Sequence, residues 1–147
     1  MIINVPQNIV DRIQTWNEER GLLKTFDVDT EVRLFQEELK EFQEAKDKYE
    51  GVDALCDMIV VFVGTLLKAQ THNVDLEEVY PDFKAVKAYV DTNFITISQL
   101  GFEPKCAMNE TLLEIESRTG HINELGKFEK DKDVKTYKAT YDLCQLK

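Results

Sequence analysis

The stretch from Val52 to Lys68, VDALCDMIVVFVGTLLK, constrains the fold more than any other. Leu55, Met58, Ile59, Val60, Val61, Phe62, Val63, Leu66 and Leu67 cover nearly the whole circumference of a helix, and a helix that is apolar all round belongs in the middle of a bundle. Yet Asp53 and Asp57, one helical turn apart, share a face with Val60 and Gly64. Unpaired carboxylates on a buried helix are costly, or else they protonate. The fold must therefore supply these aspartates with a cation or a hydrogen-bond donor.

The helix expected just before it carries the sequence EELKE. At about 100° per residue, Glu37 and Glu41 lie about 40° apart around the axis and Glu38 about 60° beyond Glu41, so all three share a face. Phe35, Leu39 and Phe42 form the apolar stripe, and Gln36, Lys40, Gln43 and Asp47 a polar side. Leu34 and Ala45 fall on the acidic face, above and below the glutamates. A solvated face would be polar along its whole length, so this pattern suggests a partly closed cleft. EELKE alone is common on solvated helices; the aspartate pair one glycine-containing turn later turns the reading toward a metal site formed by Glu37, Glu38, Glu41, Asp53 and Asp57. Hard cations such as Mg²⁺ or Mn²⁺ take carboxylate oxygens and substrate phosphates together. Two or more such ions would neutralise phosphate charge and acidify an attacking water, and Glu37 or Glu38, if not fully used as a ligand, would take its proton.

The remaining chain reads as housing. Pro6 followed by Ile9, Ile13 and Trp16 predicts a first amphipathic helix ending near Gly21, with Trp16 and Asn17 at its end. Leu22 to Thr30 is a connector, Asp29 or Thr30 caps the second helix, and Glu31 in its first turn suits the helix dipole. That helix should run through Glu44 and fray near Tyr49 to Gly51. A weaker helical stretch, about Glu77 to Leu100, breaks near Pro81, and Pro104 opens a short helix reaching Arg118. Beyond Gly120 the chain is lysine-rich with little periodicity, so residues 120–147 read as a surface tail or lid. With no repeat, no strand-length alternation and no Gly-rich phosphate loop, the 147 residues are expected to form one all-α domain.

A formal charge of −10 argues against nucleic acid or an anionic membrane as partner, although a nucleotide can bind through bridging metal. Cys56, Cys106 and Cys144 are odd in number and outside any CxxC arrangement, which predicts neither disulfide nor zinc site but reduced thiols in a cytoplasm. The start lacks the basic region and apolar core of a signal peptide, and Met58 to Leu67 is far shorter than the roughly 20 residues that span a bilayer.

The order EExxE, a short gap, then an acidic pair opening an apolar helix resembles the all-α nucleoside triphosphate pyrophosphohydrolases of the MazG type, whose relatives include dimeric dUTPases, dCTP pyrophosphatases and phosphoribosyl-ATP pyrophosphohydrolase. DALCDMIVVFVGT is similar to the DAxxDxxYVxxGT run of the phosphoribosyl-ATP-pyrophosphohydrolase-like branch. ETLLEIESRTG, Gly126-Lys127 and Tyr137 resemble C-terminal segments of its phage-type members. The resemblance implies a MazG-like bundle with a four-helix core, assembled as a homodimer or homotetramer, that hydrolyses a nucleoside triphosphate to the monophosphate and pyrophosphate with Mg²⁺. Glu37, Glu38, Glu41 and Asp57 match the family's acidic pattern. Its remaining glutamate falls on Ala54, where Asp53 is the substitute, and this departure leaves the number of ions open.

For substrate contacts, Trp16 offers a stacking plane and Asn17 an amide for a pyrimidine edge. Lys68, on the aspartate face, and Arg118, Lys127 and Lys130 are candidates for phosphate. The ordinary alternatives are a core anchor for Trp16, a helix-dipole lysine for Lys68 and a solvated basic tail for the others. His72 and His121 read as surface residues, and Phe83, Tyr89, Phe94 and Phe102 as packing. The expected activity is pyrophosphate release from a deoxynucleotide such as dUTP or dCTP. The alternatives are phosphoribosyl-ATP hydrolysis, or a non-catalytic interaction or metal-binding module, which Ala54 keeps open.

Overall fold

The apolar helix organises the computed structural model, which describes residues 4–147. Helix α1 spans Gln7–Glu19, α2 Val28–Gln43, α3 Lys48–Thr71, α4 Leu76–Val79, α5 Phe83–Asp91, α6 Asn93–Gln99 and α7 Pro104–Glu116; strands β1 (Gly120–Ile122) and β2 (Phe128–Lys130) follow. Helix α2 runs along α3, α1 and α7 pack on its other sides and on each other, and α5 and α6 close the far end. The fold is thus mostly helical, as expected, with α1, α2, α3 and α7 as its core. From α3, Leu55, Met58, Ile59, Phe62 and Val63 are fully buried, meeting Ile13 of α1 and Met108 and Leu112 of α7. Pro81 breaks the following helical stretch, and Tyr80 and Phe83 on either side of it both pack on Phe62, with ring centroids 6.5 and 5.8 Å away.

Helix α3 begins before Gly51, not after it. The Asp47 carboxylate accepts from the Glu50 amide at 2.9 Å, and the Glu50 carboxylate accepts in return from the Lys46 amide at 3.4 Å, a reciprocal cap that starts the helix early. Gly51 sits in its first turn because Leu100 packs there: an added Cβ would lie 3.3 Å from Leu100 Cδ1. The glycine serves close packing rather than fraying.

The C-terminal region departs most from expectation. Residues 120–130 form an antiparallel hairpin with Ile122 opposite Phe128, where no strand was foreseen. Its turn is built by Asn123, whose Oδ1 accepts from the amides of Leu125 at 2.9 Å and Lys127 at 3.1 Å, and by Gly126 at φ +78°. Such strands are too short for alternation to mark them. After the hairpin the chain returns to the bundle and buries Tyr141 and Cys144. Cys106 and Cys144 form a disulfide, with Cα atoms 5.4 Å apart, while Cys56 is free and buried. This corrects the expectation of reduced thiols and removes the cysteine argument for a reducing compartment. The 38-residue separation hid the pair; the ends meet because Phe102 and Gln145 form a β-bridge and the Glu103 amide donates to the Cys144 carbonyl at 2.7 Å. Among the described residues no helix is long and apolar enough to cross a membrane.

Glu31, read only as a first-turn partner of the helix dipole, is buried. One of its oxygens accepts from Lys68 Nζ at 3.0 Å and the other from the Thr65 hydroxyl at 2.7 Å, so a closed ion pair ties α2 to α3. Removing one partner of such a pair leaves a buried charge alone. Lys68→Met should therefore lower the unfolding free energy by about 3–5 kcal/mol, and adding Glu31→Gln should recover much of that loss, as read by chemical denaturation.

Candidate active site

A cleft runs between α2 and α3, floored by Val60, Val61 and Gly64 of α3 and bounded by the end of α1, the end of α7, and the hairpin's turn and return strand. Its polar lining is unevenly divided. At one end stand Glu38 and Asp57 with Arg118 and Lys127, and at the other Asn17 and the Glu31–Lys68 pair. Eleven residues of helix separate Asp57 from Lys68, a rise of roughly 16 Å at about 1.5 Å per residue.

Carboxylate oxygens of Glu38, Glu41 and Asp57 all lie within 4.8 Å of one another. The i, i+3 spacing on α2 stacks the two glutamates, and the extensive packing of α2 on α3 brings Asp57 opposite them. Burial, a hydrogen bond that the protonated Glu38 donates to Glu41, and the charges of Glu41 and Asp53 push the Glu38 carboxyl up to about 8, with Lys127 opposing. Burial, followed by the charges of Asp53 and Glu38, holds Asp57 well above the usual carboxylate range. Glu38 Oε2 is buried with no hydrogen-bond partner. Acceptor-only oxygens converging on one point, one of them orphaned, fit a hard divalent cation, which would take these lone pairs and cancel the repulsion.

Glu37 and Asp53 stand outside this group, each held by a donor from the C-terminal region. Glu37 is half-exposed and accepts from Lys127 Nζ at 2.8 Å. Asp53 Oδ1 accepts from the Tyr141 hydroxyl at 2.8 Å; burial raises its pKa and that hydrogen bond opposes the rise. Ala54 is buried in the core at 1% exposure and offers no ligand atom. Arg118 Nη2 donates to Glu114 at 2.7 Å beside the cluster.

Of the side chains foreseen as substrate contacts, Trp16, Asn17, Lys68, Arg118 and Lys127 line this one cleft, and Lys130 does not. Their local commitments differ. The Trp16 indole N–H donates to the Ile115 carbonyl at 3.0 Å, its edge meets Phe128 and the Arg20 guanidinium lies 4.7 Å from its ring centroid. Asn17 is buried with Nδ2 donating to the Ile13 carbonyl at 2.8 Å, and its amide borders Gly64. Lys68 is neutralised by Glu31 at the end far from Asp57, which removes the geometric case for it as a phosphate ligand. Sequence reasoning missed Glu31, Phe128 and Tyr141. The first looked like a dipole partner, and the other two lie in a region without periodicity; the Asn-Glu-Leu-Gly turn at 123–126 was the one available signal for the hairpin.

The raised carboxyl of Glu38 makes stability depend on pH. In the folded, metal-free protein it keeps its proton up to about 8, whereas the unfolded chain releases it near 4.5, so the stabilisation is complete below pH 4.5 and lost as pH rises through 8. Thermal melts without divalent cation should therefore show a falling Tm across that window, and Glu38→Gln should flatten the slope.

Residues 15–97, more than half the chain, match the family model described as phosphoribosyl-ATP pyrophosphohydrolase. No curated protein and no solved structure matches. The matched span includes α2 and α3 and thus Glu38, Glu41 and Asp57. Membership of this family makes the protein a pyrophosphohydrolase, a hydrolase of acid anhydrides, and the chain belongs to the phosphoribosyl-ATP pyrophosphohydrolase family within the all-α MazG-like nucleoside triphosphate pyrophosphohydrolases.

Proposed function

We propose that the protein is a Mg²⁺-dependent pyrophosphohydrolase that converts a pyrimidine deoxynucleoside triphosphate, dUTP or dCTP, to the monophosphate and pyrophosphate. The observation that carries this reading is the convergence of Glu38, Glu41 and Asp57 at one end of a cleft whose floor is apolar. Glu38, Glu41 and Asp57 would hold the ion with Asp53 as a further ligand, and Glu37 is available to a second one; Mn²⁺ suits the same oxygens. A bound ion would supply Lewis-acid charge that offsets the negative charge developing as the anhydride bond breaks. The chain's own residues do the rest. Lys127 and Arg118 attract the phosphates, and Glu37, on the open side of the group, accepts the proton of the attacking water, with Glu38 sharing that role. At the other end, Asn17 offers an acceptor and a donor to a base edge, and Trp16 an aromatic wall. The hairpin crosses the cleft with Gly126, Lys127 and Phe128 and serves as a lid over the triphosphate. A cytoplasmic homodimer or homotetramer remains part of this proposal.

The family match favours a second reading, in which the substrate is phosphoribosyl-ATP. Pyrophosphate release from a panel of deoxynucleoside triphosphates and phosphoribosyl-ATP separates the two. The first reading expects the highest kcat/KM with dUTP or dCTP, and a preference for phosphoribosyl-ATP establishes the second. Glu38→Gln and Asp57→Asn should each lower kcat/KM by roughly two orders of magnitude or more. Full activity in both variants would remove the site. Absence of both pyrophosphate release and Mg²⁺-dependent nucleotide affinity would leave only a helical interaction module.

A further inference from the structure

The C-terminal segment reaches the carboxylates through one side chain. Tyr141 is buried between α3 and α7, with its hydroxyl 2.8 Å from Asp53 Oδ1 and 2.8 Å from Thr111 Oγ1. An ionised carboxylate only accepts, so Tyr141 must donate to Asp53 and take its own hydrogen bond from Thr111. The result is a directed chain, Thr111 to Tyr141 to Asp53, that fixes the orientation of the carboxyl.

The turn bearing Tyr141 is held on both sides. The Cys106–Cys144 disulfide ties its end to the start of α7. Ahead of it, Glu110 Oε1 accepts from the Tyr137 hydroxyl at 2.6 Å and the Thr140 amide at 2.8 Å, and Glu114 Oε1 accepts from the Ala139 amide at 2.9 Å. Donors from one segment thus satisfy buried or half-buried acids of α7 and set Tyr141 against α3. Such fastening exceeds what a solvated tail needs.

We infer that Tyr141 is a positioning residue: its hydroxyl holds Asp53 by Oδ1 so that the carboxyl can serve the cation held by Glu38, Glu41 and Asp57, and this rests on the metal reading proposed above. The arrangement answers a specific sequence problem. The acid at position 53 is one residue removed from Ala54, so it enters from a different angle on the helix, about 100° away. A buried phenol anchored by a disulfide is a rigid means of correcting that angle, as second hydrogen-bonding partners do for metal ligands generally.

Mn²⁺ titration followed by electron paramagnetic resonance, without nucleotide, tests this on the full chain. Tyr141→Phe keeps the ring and should weaken Mn²⁺ binding by about 10–100-fold. Asp53→Asn should weaken it at least as much, and the double variant no further, because both act on one ligand. Thr111→Val, which removes only the outer donor, should shift affinity in the same direction by less, and serves if Tyr141→Phe does not fold. A Tyr141→Phe protein that melts lower yet binds Mn²⁺ like wild type would reduce Tyr141 to a packing residue and overturn the inference, as would full additivity with Asp53→Asn. Glu38→Gln separates the two levels. Loss of Mn²⁺ in Glu38→Gln with retention in Tyr141→Phe sinks the positioning role alone, whereas a wild-type protein that takes no Mn²⁺ sinks the metal reading with it.

Discussion

The structure depends on holding several carboxylates against one face of a helix that the rest of the fold must bury. Helix α3 cannot leave the core, since its Leu55, Met58, Ile59, Phe62 and Val63 have no exposure at all. Asp53 and Asp57 therefore cannot reach bulk water by moving the backbone, and α2 adds Glu38 and Glu41 from the other side. In a medium less polar than water, such repulsion raises the carboxyl pKa values or recruits compensating charge. Both responses are visible: Glu38 is pushed up to about 8, and Lys127, Arg118 and Tyr141 are drawn in from the C-terminal third.

This constraint gives the chain after Gly120 a purpose that its composition conceals. The hairpin brings Lys127 to Glu37 and Phe128 to Trp16, and the return segment brings Tyr141 to Asp53. One stretch of irregular chain thus meets the cleft at its aromatic wall and holds two acids beside the cation group, Glu37 and Asp53. The buried Glu31–Lys68 pair acts differently, closing the opposite end with Lys68 neutralised there. The cleft is electrostatically polarised along α3, with acids and ion-paired cations at one end and a neutral polar end at the other. That polarity suits a ligand with charge at one end and an uncharged hydrogen-bonding group at the other.

The bundle and the acidic group were legible because both rest on helical periodicity, which the sequence displays directly. The all-round apolarity of Val52 to Lys68 implied a central helix, and the spacings put Glu37, Glu38 and Glu41 on one face of α2 and Asp53 and Asp57 on one face of α3. What could not be read depends on contacts between distant segments. Glu31 looks like any first-turn glutamate until Lys68, 37 residues on, is placed beside it. Cys106 and Cys144 are two unremarkable thiols until a β-bridge joins their neighbours. Gly51 looked like a helix breaker because no local signal reports that Leu100 needs its space. Glu37 and Glu41 share a helix face, yet a lysine 90 residues away claims one of them.

The central claim is that Glu38, Glu41 and Asp57 form a divalent cation site in which Glu38 carries a proton until the cation arrives. Isothermal titration calorimetry with Mg²⁺ at pH 7, repeated in buffers of different ionisation enthalpy, counts the protons released on binding. With Glu38 at about 8 in the metal-free protein, the account predicts binding accompanied by release of close to one proton or more, and Glu38→Gln should reduce that number. Mg²⁺ binding that releases no proton, or no binding at all, would contradict it.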